Sequence, residues 1–264
     1  MTVKVILNCI TEIAPLHWQE SYDNAGLQVG DLDAEAHKAL ICLDITEAIV
    51  DEAVIKKCDV IVSHHPLIFH GLKHLTPQTY IERAVMKAIK HDIAMISMHT
   101  NLDISYSGVS RMLAERLGLK ELRLLQPSAS EPEVCGAGMI GEFEHPMEET
   151  DFLCLVAERI GSPCLRHSAL TGRNIQKVAL CGGSGSPFMG DALKNHADAY
   201  LTADIKYHDF FVPEGKILLV DGGHFETEQF TKELICELIR KKFPTFAAEI
   251  AETRTNAVYY FVRN

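Results

Sequence analysis

The sequence has no long apolar run and no excess of basic residues, and each absence excludes a class of protein. Its longest apolar stretches, such as residues 217–220, are far shorter than the ~20 residues that a membrane-spanning helix requires. The 264 residues include 25 Lys and Arg against 36 Asp and Glu, which gives a net charge of -11. Nucleic-acid affinity comes largely from basic side chains. We therefore predict no membrane insertion and regard nucleic acid as a disfavoured partner.

The sequence also lacks any C-x-x-C pair, although it contains eight cysteines. Several of them lie inside apolar strand or helix patterns, where a free cysteine behaves as a small buried hydrophobe. Free thiols persist in a reducing compartment, so we predict a cytoplasmic protein. The first residues fit this prediction, because their apolar positions have helical spacing up to Pro15 and no signal-peptide cleavage pattern follows.

Short apolar runs alternate with amphipathic segments along most of the chain. The runs predict buried strands at residues 39–43, 60–62, 94–98, 178–181, 200–201 and 217–220. The segments between them predict helices at residues 47–57, 80–91, 109–117, 189–196 and 227–242. This alternation is typical of βαβ units, so we expect an α/β fold with largely parallel or mixed sheets.

The order of elements repeats at an offset of 139 residues, which indicates two pseudo-symmetric halves. KALICLD, from Lys38, aligns with KVALCGG, from Lys177, and a helix and a strand follow each segment. Chance alignment of generic βαβ patterns is the alternative. The proline-containing stretch 125–132 is the best boundary, and an exposed strand is predicted after it at 134–143. We therefore predict one α/β half at 1–125, another at 126–264, and no inserted domain.

Two adjacent histidines follow one of the predicted strands, at the end where α/β sheets gather ligands. Ser63, His64 and His65 come directly after residues 60–62, and Pro66 ends the strand. Neighbouring residues on a continuing strand point to opposite faces, so the two histidines suit two neighbouring metals, or a strand-end loop that turns both inward. A pair of solvated loop histidines is the alternative.

Further candidate ligands follow two other predicted strands. Asp103 lies beyond the strand at 94–98, and His224 and Glu228 lie beyond the strand at 217–220. In a helix that starts near Phe225, His224 and Glu228 share one face, and Glu228 is the candidate bridge between two metals. Imidazole and carboxylate ligands without cysteine favour Zn, Fe(II), Mn or Ni. Unrelated loop and capping roles, such as a helix cap at Asp103, are the alternative.

Other polar residues near the same strand ends are candidates for acid–base and binding roles. His99 and His208 are the predicted proton shuttles, because an imidazole titrates near neutral pH. Asp44, Asn101 and Asp204 are the predicted substrate-binding residues. The glycine-rich loop at 182–186 offers backbone N–H groups that suit an anion, but a tight strand-to-helix turn is the commoner role of such a loop.

These segments resemble, in order and spacing, the motifs of a known family. They are SHHPLIFHG from Ser63, MHTNLD from Met98, CGGSGS from Cys181, LTADIKYHD from Leu201 and DGGHFETE from Asp221, with WQESYDNAGLQVGD from Trp18 as the amino-terminal motif. On these motifs the chain is identified as a member of the GTP cyclohydrolase 1 type 2 family, also called Nif-three-like. The resemblance covers essentially the whole chain.

The resemblance implies two α/β halves with a dinuclear metal centre in the cleft between them. The ligands that it implies are His64, His65, Asp103, His224 and Glu228, with Glu228 bridging two divalent cations in each subunit. It also implies a homohexameric toroid whose metal sites face the interior.

The activity that the resemblance implies is hydrolytic opening of the guanine imidazole ring of GTP at C8. We therefore expect a metal-dependent hydrolase that acts on a nucleotide or a related heterocycle through metal-activated water. Two alternatives stay open. One is a metal-handling or regulatory hexamer without turnover, and the other is a ring that binds a protein or a nucleic acid.

Overall fold

The apolar runs and amphipathic segments fold as the strands and helices of two α/β units, in a computed structural model that describes residues 1–261. The first unit consists of Met1–Leu102 and Thr231–Ala257, and the second of Asp103–Phe230 with the described residues 258–261. The predicted α/β class is confirmed. Within residues 1–261, no helix has the length and apolar character needed to cross a membrane.

Helices and strands alternate along most of both units. The helices are α1 Val3–Thr11, α2 Glu47–Lys56, α3 Tyr80–Lys90, α4 Thr100–Asp103, α5 Val109–Leu117, α6 Glu149–Ile160, α7 Met189–Lys194, α8 His224–Glu228 and α9 Thr231–Lys242. The strands are β1 Gly26–Val29, β2 Lys38–Cys42, β3 Val60–Ser63, β4 Ala94–Ser97, β5 Lys120–Pro127, β6 Gly136–Met147, β7 Arg166–His167, β8 Ile175–Leu180, β9 Ala199–Thr202, β10 Leu218–Asp221 and β11 Ala247–Ile250.

The first unit contains a five-stranded sheet in the order β1-β4-β3-β2-β11. Four of the strands are parallel, and β1 at the edge is antiparallel to β4. Every residue of β3 and β4 is buried, as expected for strands covered on both faces. Side chains of β2, β3 and β4 pack with α2 and α3 in one core cluster that includes Leu40, Ile61 and Met95. The carboxyl ends of β3 and β4 consequently lie at the same edge of this sheet.

The second unit contains a six-stranded mixed sheet in the order β5-β6-β8-β9-β10-β7. Its three central strands, β8, β9 and β10, are parallel, and β5, β6 and β7 are antiparallel to their neighbours. Phe152 and Val156 of α6 pack in one cluster with Val178, Leu201 and Leu218 of the parallel strands. Mixed sheets in both units agree with the prediction from the alternating pattern.

The predicted internal repeat is present in the strand register. Ala39 pairs with Val60 in the first unit, and Val178 pairs with Ala199 in the second, an offset of 139 residues on both strands. One pair of hydrogen bonds from backbone N–H groups to an aspartate side chain repeats at the same offset. Asp59 Oδ2 accepts the N–H groups that begin β2, and Asp198 Oδ2 accepts the N–H groups of Gln176 and Lys177 in β8. The two units are therefore pseudo-symmetric in their parallel strands.

The observed division of the chain differs from the predicted boundary at residue 125. That position lies within β5, which pairs with β6 through Pro127. A proline is tolerated there because β5 is an edge strand, where a missing N–H donor breaks no ladder. The chain also returns to the first unit after Phe230, since β11 pairs in parallel with β2.

Two local predictions need correction. The strand predicted as exposed at 134–143 is largely buried, because β6 lies between β5 and β8 in the sheet. The single helix predicted at 227–242 is interrupted: α8 ends at Glu228, and α9 begins at Thr231. The interruption assigns α8 to the second unit and α9 to the first.

Candidate metal-binding clusters

His64 and His65 follow β3 in a turn that brings their two imidazole rings together. Ser63 Oγ donates to His65 O at 2.8 Å, and the two ring centroids lie 4.8 Å apart. Nitrogens of the two rings lie within 4.8 Å of each other. His64 is fully buried and His65 is partly exposed. Of the alternatives left open by the sequence, the structure thus has a strand-end turn that gathers both histidines.

Each of these histidines is oriented by an acceptor at Nδ1. His64 Nδ1 donates to Met98 O at 2.7 Å, and His65 Nδ1 donates to Asp44 Oδ1 at 2.7 Å. A carbonyl or a carboxylate only accepts, so Nδ1 is the donor in both rings and Nε2 is the nitrogen left for a cation. Burial raises the pKa of Asp44, but hydrogen bonds from His65 and Thr255 and the charge of His65 outweigh it and lower that pKa. Asp44, predicted to bind substrate, is thus placed to orient His65.

His99 lies beside the same two histidines and has a carboxylate partner of its own. Its ring centroid lies 5.5 Å from that of His64 and 5.4 Å from that of His65. His99 Nδ1 donates to Asp23 Oδ1 at 2.7 Å, and Thr100 N donates to Asp23 Oδ2 at 3.0 Å. Burial raises the pKa of Asp23, but its hydrogen bonds to His99 and Thr100 outweigh burial and lower the pKa to about 2.

The lowered pKa of Asp23 predicts a pH-dependent contribution to stability. A carboxyl group whose pKa falls on folding stabilises the protein at pH values above its ordinary pKa, which is 3.8 for aspartate. This contribution is lost as the pH falls toward about 2. We expect wild-type protein to exceed Asp23→Asn in free energy of unfolding by about 1–2 kcal/mol near neutral pH, and the gap to shrink in acid. Denaturant titrations at a series of pH values measure this gap, and a gap that does not change with pH would contradict the prediction.

A second cluster of imidazole and carboxylate groups lies on α8 in the second unit. His224 begins the helix and Glu228 ends it, and His224 Nε2 lies 3.0 Å from Glu228 Oε2. His224 Nδ1 donates to Asp204 Oδ2 at 2.7 Å. Burial lowers the pKa of His224, but hydrogen bonds to Asp204 and Glu228 and their charges outweigh it and raise the pKa to about 10. The i and i+4 arrangement predicted for His224 and Glu228 is present.

Asp103, at the end of α4, lies in the same part of the second unit as Glu228. Burial first, and then the negative charges of Asp103 and Glu228, raise the pKa of the Cys181 thiol to about 12. A thiol with so high a pKa is a poor nucleophile.

The glycine-rich loop 182–186 is a tight strand-to-helix turn, the commoner of the two roles considered. The N–H groups of its three glycines are bonded within the unit and so are not offered to an anion. The three bonds are Gly182 N to Ser110 Oγ at 3.3 Å, Gly183 N to Thr227 Oγ1 at 3.0 Å and Gly185 N to Thr202 Oγ1 at 2.8 Å.

Gly183 makes room for the Glu228 carboxylate. A Cβ built on Gly183 would overlap Glu228 Oε1 and lie 2.9 Å from Glu228 Cδ. The φ angle of Gly183 is +60°, in the left-handed region that favours glycine. Sequence reasoning missed this role, and also the role of Asp23, although the quoted motifs contain both residues.

Asn101 is enclosed in the first unit. Its side chain is fully buried, with Nδ2 donating to Ala14 O at 2.7 Å and Oδ1 accepting from His99 N at 3.0 Å. These contacts anchor the turn that carries His99. The predicted role of Asn101 in substrate binding stays a prediction.

His208 lies in an exposed aromatic group on the short 3-10 helix Tyr207–Phe211. Its ring centroid lies 5.3 Å from that of Tyr207 and 6.4 Å from that of Phe211. The structure therefore brings His99 next to predicted ligands and places His208 among surface aromatic side chains. The predicted role of His208 as a proton shuttle stays a prediction.

The donor sets of both clusters fit a divalent transition cation. His64, His65 and His224 each have Nδ1 bonded to a carbonyl or carboxylate at 2.7 Å, the support that metal-ligating histidines usually have. Imidazole and carboxylate groups together suit Zn, Fe(II), Mn or Ni. The fold and the two clusters thus place this chain in a class of α/β proteins that carry candidate metal ligands at the carboxyl ends of their strands.

The chain belongs to the Duf34/NIF3 (NGG1p interacting factor 3) family, whose model matches residues 1–257. The GTP cyclohydrolase 1 type 2 homolog of Clostridium perfringens is 32% identical over 265 residues, which is 99% of this chain and 100% of the relative. That of Streptomyces coelicolor is 34% identical over 230 residues, which is 84% of this chain and 80% of the relative. The family resemblance of the sequence motifs is confirmed.

Solved structures share the fold. A Bacillus cereus protein related to NIF3 superposes with a TM-score of 0.91 at 22% identity and covers 99% of each chain. Reduced HcgD from Methanocaldococcus jannaschii superposes with a TM-score of 0.79 at 27% identity, covering 96% of this chain and 98% of that one. Both comparisons agree with the α/β architecture described above.

Proposed function

We propose that this protein is a metal-dependent hydrolase that acts on a nucleotide or a related heterocycle. Five side chains would hold two divalent cations in each subunit: His64, His65, Asp103, His224 and Glu228. One observation carries the proposal. Three of the five are histidines whose Nδ1–H groups are each donated to an acceptor at 2.7 Å, which orients each ring and leaves Nε2 as the nitrogen that would bind a cation.

A bound divalent cation supplies activation of water and stabilisation of negative charge that develops on the substrate. The chain itself supplies proton transfer. His99 accepts a proton at Nε2 and returns it to the leaving nitrogen, while the Asp23 carboxylate holds its Nδ1–H at 2.7 Å and stabilises the imidazolium.

The substrate class rests on family membership. The curated relatives are named GTP cyclohydrolase 1 type 2 homologs, which supports a purine nucleotide as substrate. Opening the guanine imidazole ring at C8 hydrolyses a cyclic amidine C–N bond. That reaction needs activated water and a proton for the departing nitrogen, the two functions proposed above.

The family resemblance also supports a proposed assembly and location. The protein would form a homohexameric toroid in the cytoplasm, and sedimentation would then give a mass near six times the 29.4 kDa of one chain. Eight free cysteines, six of them buried, suit a reducing compartment.

Elemental analysis of gently purified protein, followed by a nucleotide hydrolysis screen with the metal found, tests the proposed function. We expect two cations per chain and metal-dependent ring opening of a purine nucleotide. No metal, even after incubation with Mn, Fe(II) or Zn, would overturn the proposal. Two cations without hydrolysis of any nucleotide would favour the alternative of a metal-handling hexamer.

Asp204→Asn tests whether the carboxylate behind His224 supports metal binding. An amide at this position accepts a weaker hydrogen bond from Nδ1–H than the carboxylate does. We expect metal affinity to fall about 10–100-fold, as is typical when such a supporting group is lost. Competition with a chelator measures the affinity, and the exposed carboxylate Glu214, changed to Gln, is the control. Equal affinities in Asp204→Asn and wild type would contradict the proposed role of His224.

A further inference from the structure

A cavity of about 500 Å³ lies in the second unit, beside the glycine-rich loop and the short helix Tyr207–Phe211. We call it the Asp209 cavity, and six of its lining residues are Ser186, Met189, Asp204, Lys206, Asp209 and Val212. Its volume lies within the range of small-molecule sites, which is about 300–1,000 Å³. None of the predicted metal ligands lines it.

Asp204 connects the Asp209 cavity to the α8 cluster. Asp204 lines the cavity, and its carboxylate accepts from His224 Nδ1 at 2.7 Å. Its backbone has a φ angle of +55°, a conformation that aspartate tolerates better than most residues. A molecule in the cavity would therefore contact the residue that orients a predicted metal ligand.

Ser184 and Ser186 of the glycine-rich loop line the cavity, and two hydrogen bonds hold the loop beside them. Tyr200 OH donates to Gly185 O at 2.6 Å, and Thr202 Oγ1 donates to Gly183 O at 2.9 Å. Next to these bonds, Ser186 Oγ is buried and has no hydrogen-bond partner within residues 1–261. Buried hydroxyls are normally bonded, so this one is a hydrogen-bonding group that a ligand can use after rotation of one side-chain torsion.

The charges that line the cavity select against a polyanion inside it. Asp204 and Asp209 oppose the single cation Lys206. In the part of the chain that the structure describes, Asp209 and Lys206 have no ion-pair partner, so the half-buried Asp209 carboxylate is available to hydrogen-bond donors. Val212, which is 53% exposed, adds apolar surface that suits the face of a ring.

We propose that the Asp209 cavity binds the nucleoside part of the substrate and that Asp209 accepts hydrogen bonds from the vicinal hydroxyls of its ribose. A carboxylate is the group that commonly recognises a ribose hydroxyl in nucleotide-binding proteins. The base lies next to Asp204, on the side of the cavity that adjoins the α8 cluster, and the phosphates stay at the rim with Lys206. The inference depends on the proposed function only for the choice of a nucleotide as ligand.

Calorimetric binding to metal-free protein tests this inference, with guanosine monophosphate and its 2′,3′-dideoxy analogue as probes. We expect wild-type protein to bind the ribonucleotide about tenfold more tightly, since hydrogen bonds to a charged group account for such a ratio. Asp209→Asn should reduce the ratio to about twofold or less. Glu214→Gln, which changes an exposed carboxylate outside the cavity, should keep the wild-type ratio.

The outcomes separate this inference from the proposed function. Equal affinity for the two probes, a preference that survives in Asp209→Asn, or no binding of either probe would overturn the role of Asp209. Metal content and hydrolysis, measured on the same variants before the metal is removed, would in that case still test the proposed function on its own. A preference lost only in Asp209→Asn supports the cavity assignment, even in a protein that turns out to bind no metal.

Discussion

Replacing Glu228 with glutamine is expected to remove at least one of the two cations from each subunit. Glutamine has nearly the same volume, so the change deletes a negative charge without opening a cavity. Glu228 is 3% exposed, and its Oε2 lies 3.0 Å from His224 Nε2, so the carboxylate faces the imidazole with which it would share a cation. Loss of a residue that only supports a metal ligand typically lowers metal affinity about 10–100-fold. We expect Glu228→Gln to lower it by more, because a ligand itself is altered.

Elemental analysis and thermal unfolding of the same preparation measure this effect. The control is Glu158→Gln, which removes an exposed carboxylate from α6 in the same unit. We expect the control to keep both cations and the Glu228→Gln variant to keep its fold. Full metal content in Glu228→Gln would contradict the bridging role that the family resemblance implies.

Gly183→Ala is expected to reproduce the metal loss of the Glu228 variant without changing any ligand. The new methyl group would overlap Glu228 Oε1, and the φ angle of +60° strains any side chain at this position. The carboxylate must then leave its position beside His224. We expect at least one cation to be lost per subunit, and little further loss when Glu228→Gln is added, because both changes disable the same ligand.

Gly190→Ala is the matched control for this prediction. Apart from its chain neighbours and its own helix backbone, no atom of residues 1–261 lies within 4 Å of a Cβ built on Gly190, which is in α7 of the same unit. The control should keep its metal and gain about 0.5–1 kcal/mol in stability, since alanine is the better helix former. Wild-type metal content in Gly183→Ala would show that Glu228 does not need its observed position.

The candidate ligands could be predicted because their positions depend on local sequence pattern. A buried parallel strand is a short apolar run, and its carboxyl end is visible where polar residues begin. The runs at 60–62, 94–98 and 217–220 correspond to β3, β4 and β10, and the histidines and acidic residues that follow them lie at the strand ends described above. The helical spacing of His224 and Glu228 likewise needed only the geometry of one turn.

The supporting contacts could not be predicted, because they join residues that are distant in the sequence. Asp23 and His99 are 76 residues apart, and 20 residues separate Asp204 from His224. The close approach of Gly183 to Glu228 arises in the same way, from the packing of a loop against a helix. Local patterns indicate which residues are polar and near a strand end, but not which of them meet.

The sequence by itself determined the α/β class, the repeat at an offset of 139 residues and the strand ends that carry imidazole and carboxylate groups, since each depends on hydrophobic periodicity over a few residues. Only the tertiary structure decided that β11 pairs with β2, that β5 is an edge strand rather than a linker, and that an acceptor lies behind each histidine of the two clusters. These features depend on packing between distant segments, for which short-range periodicity carries no information.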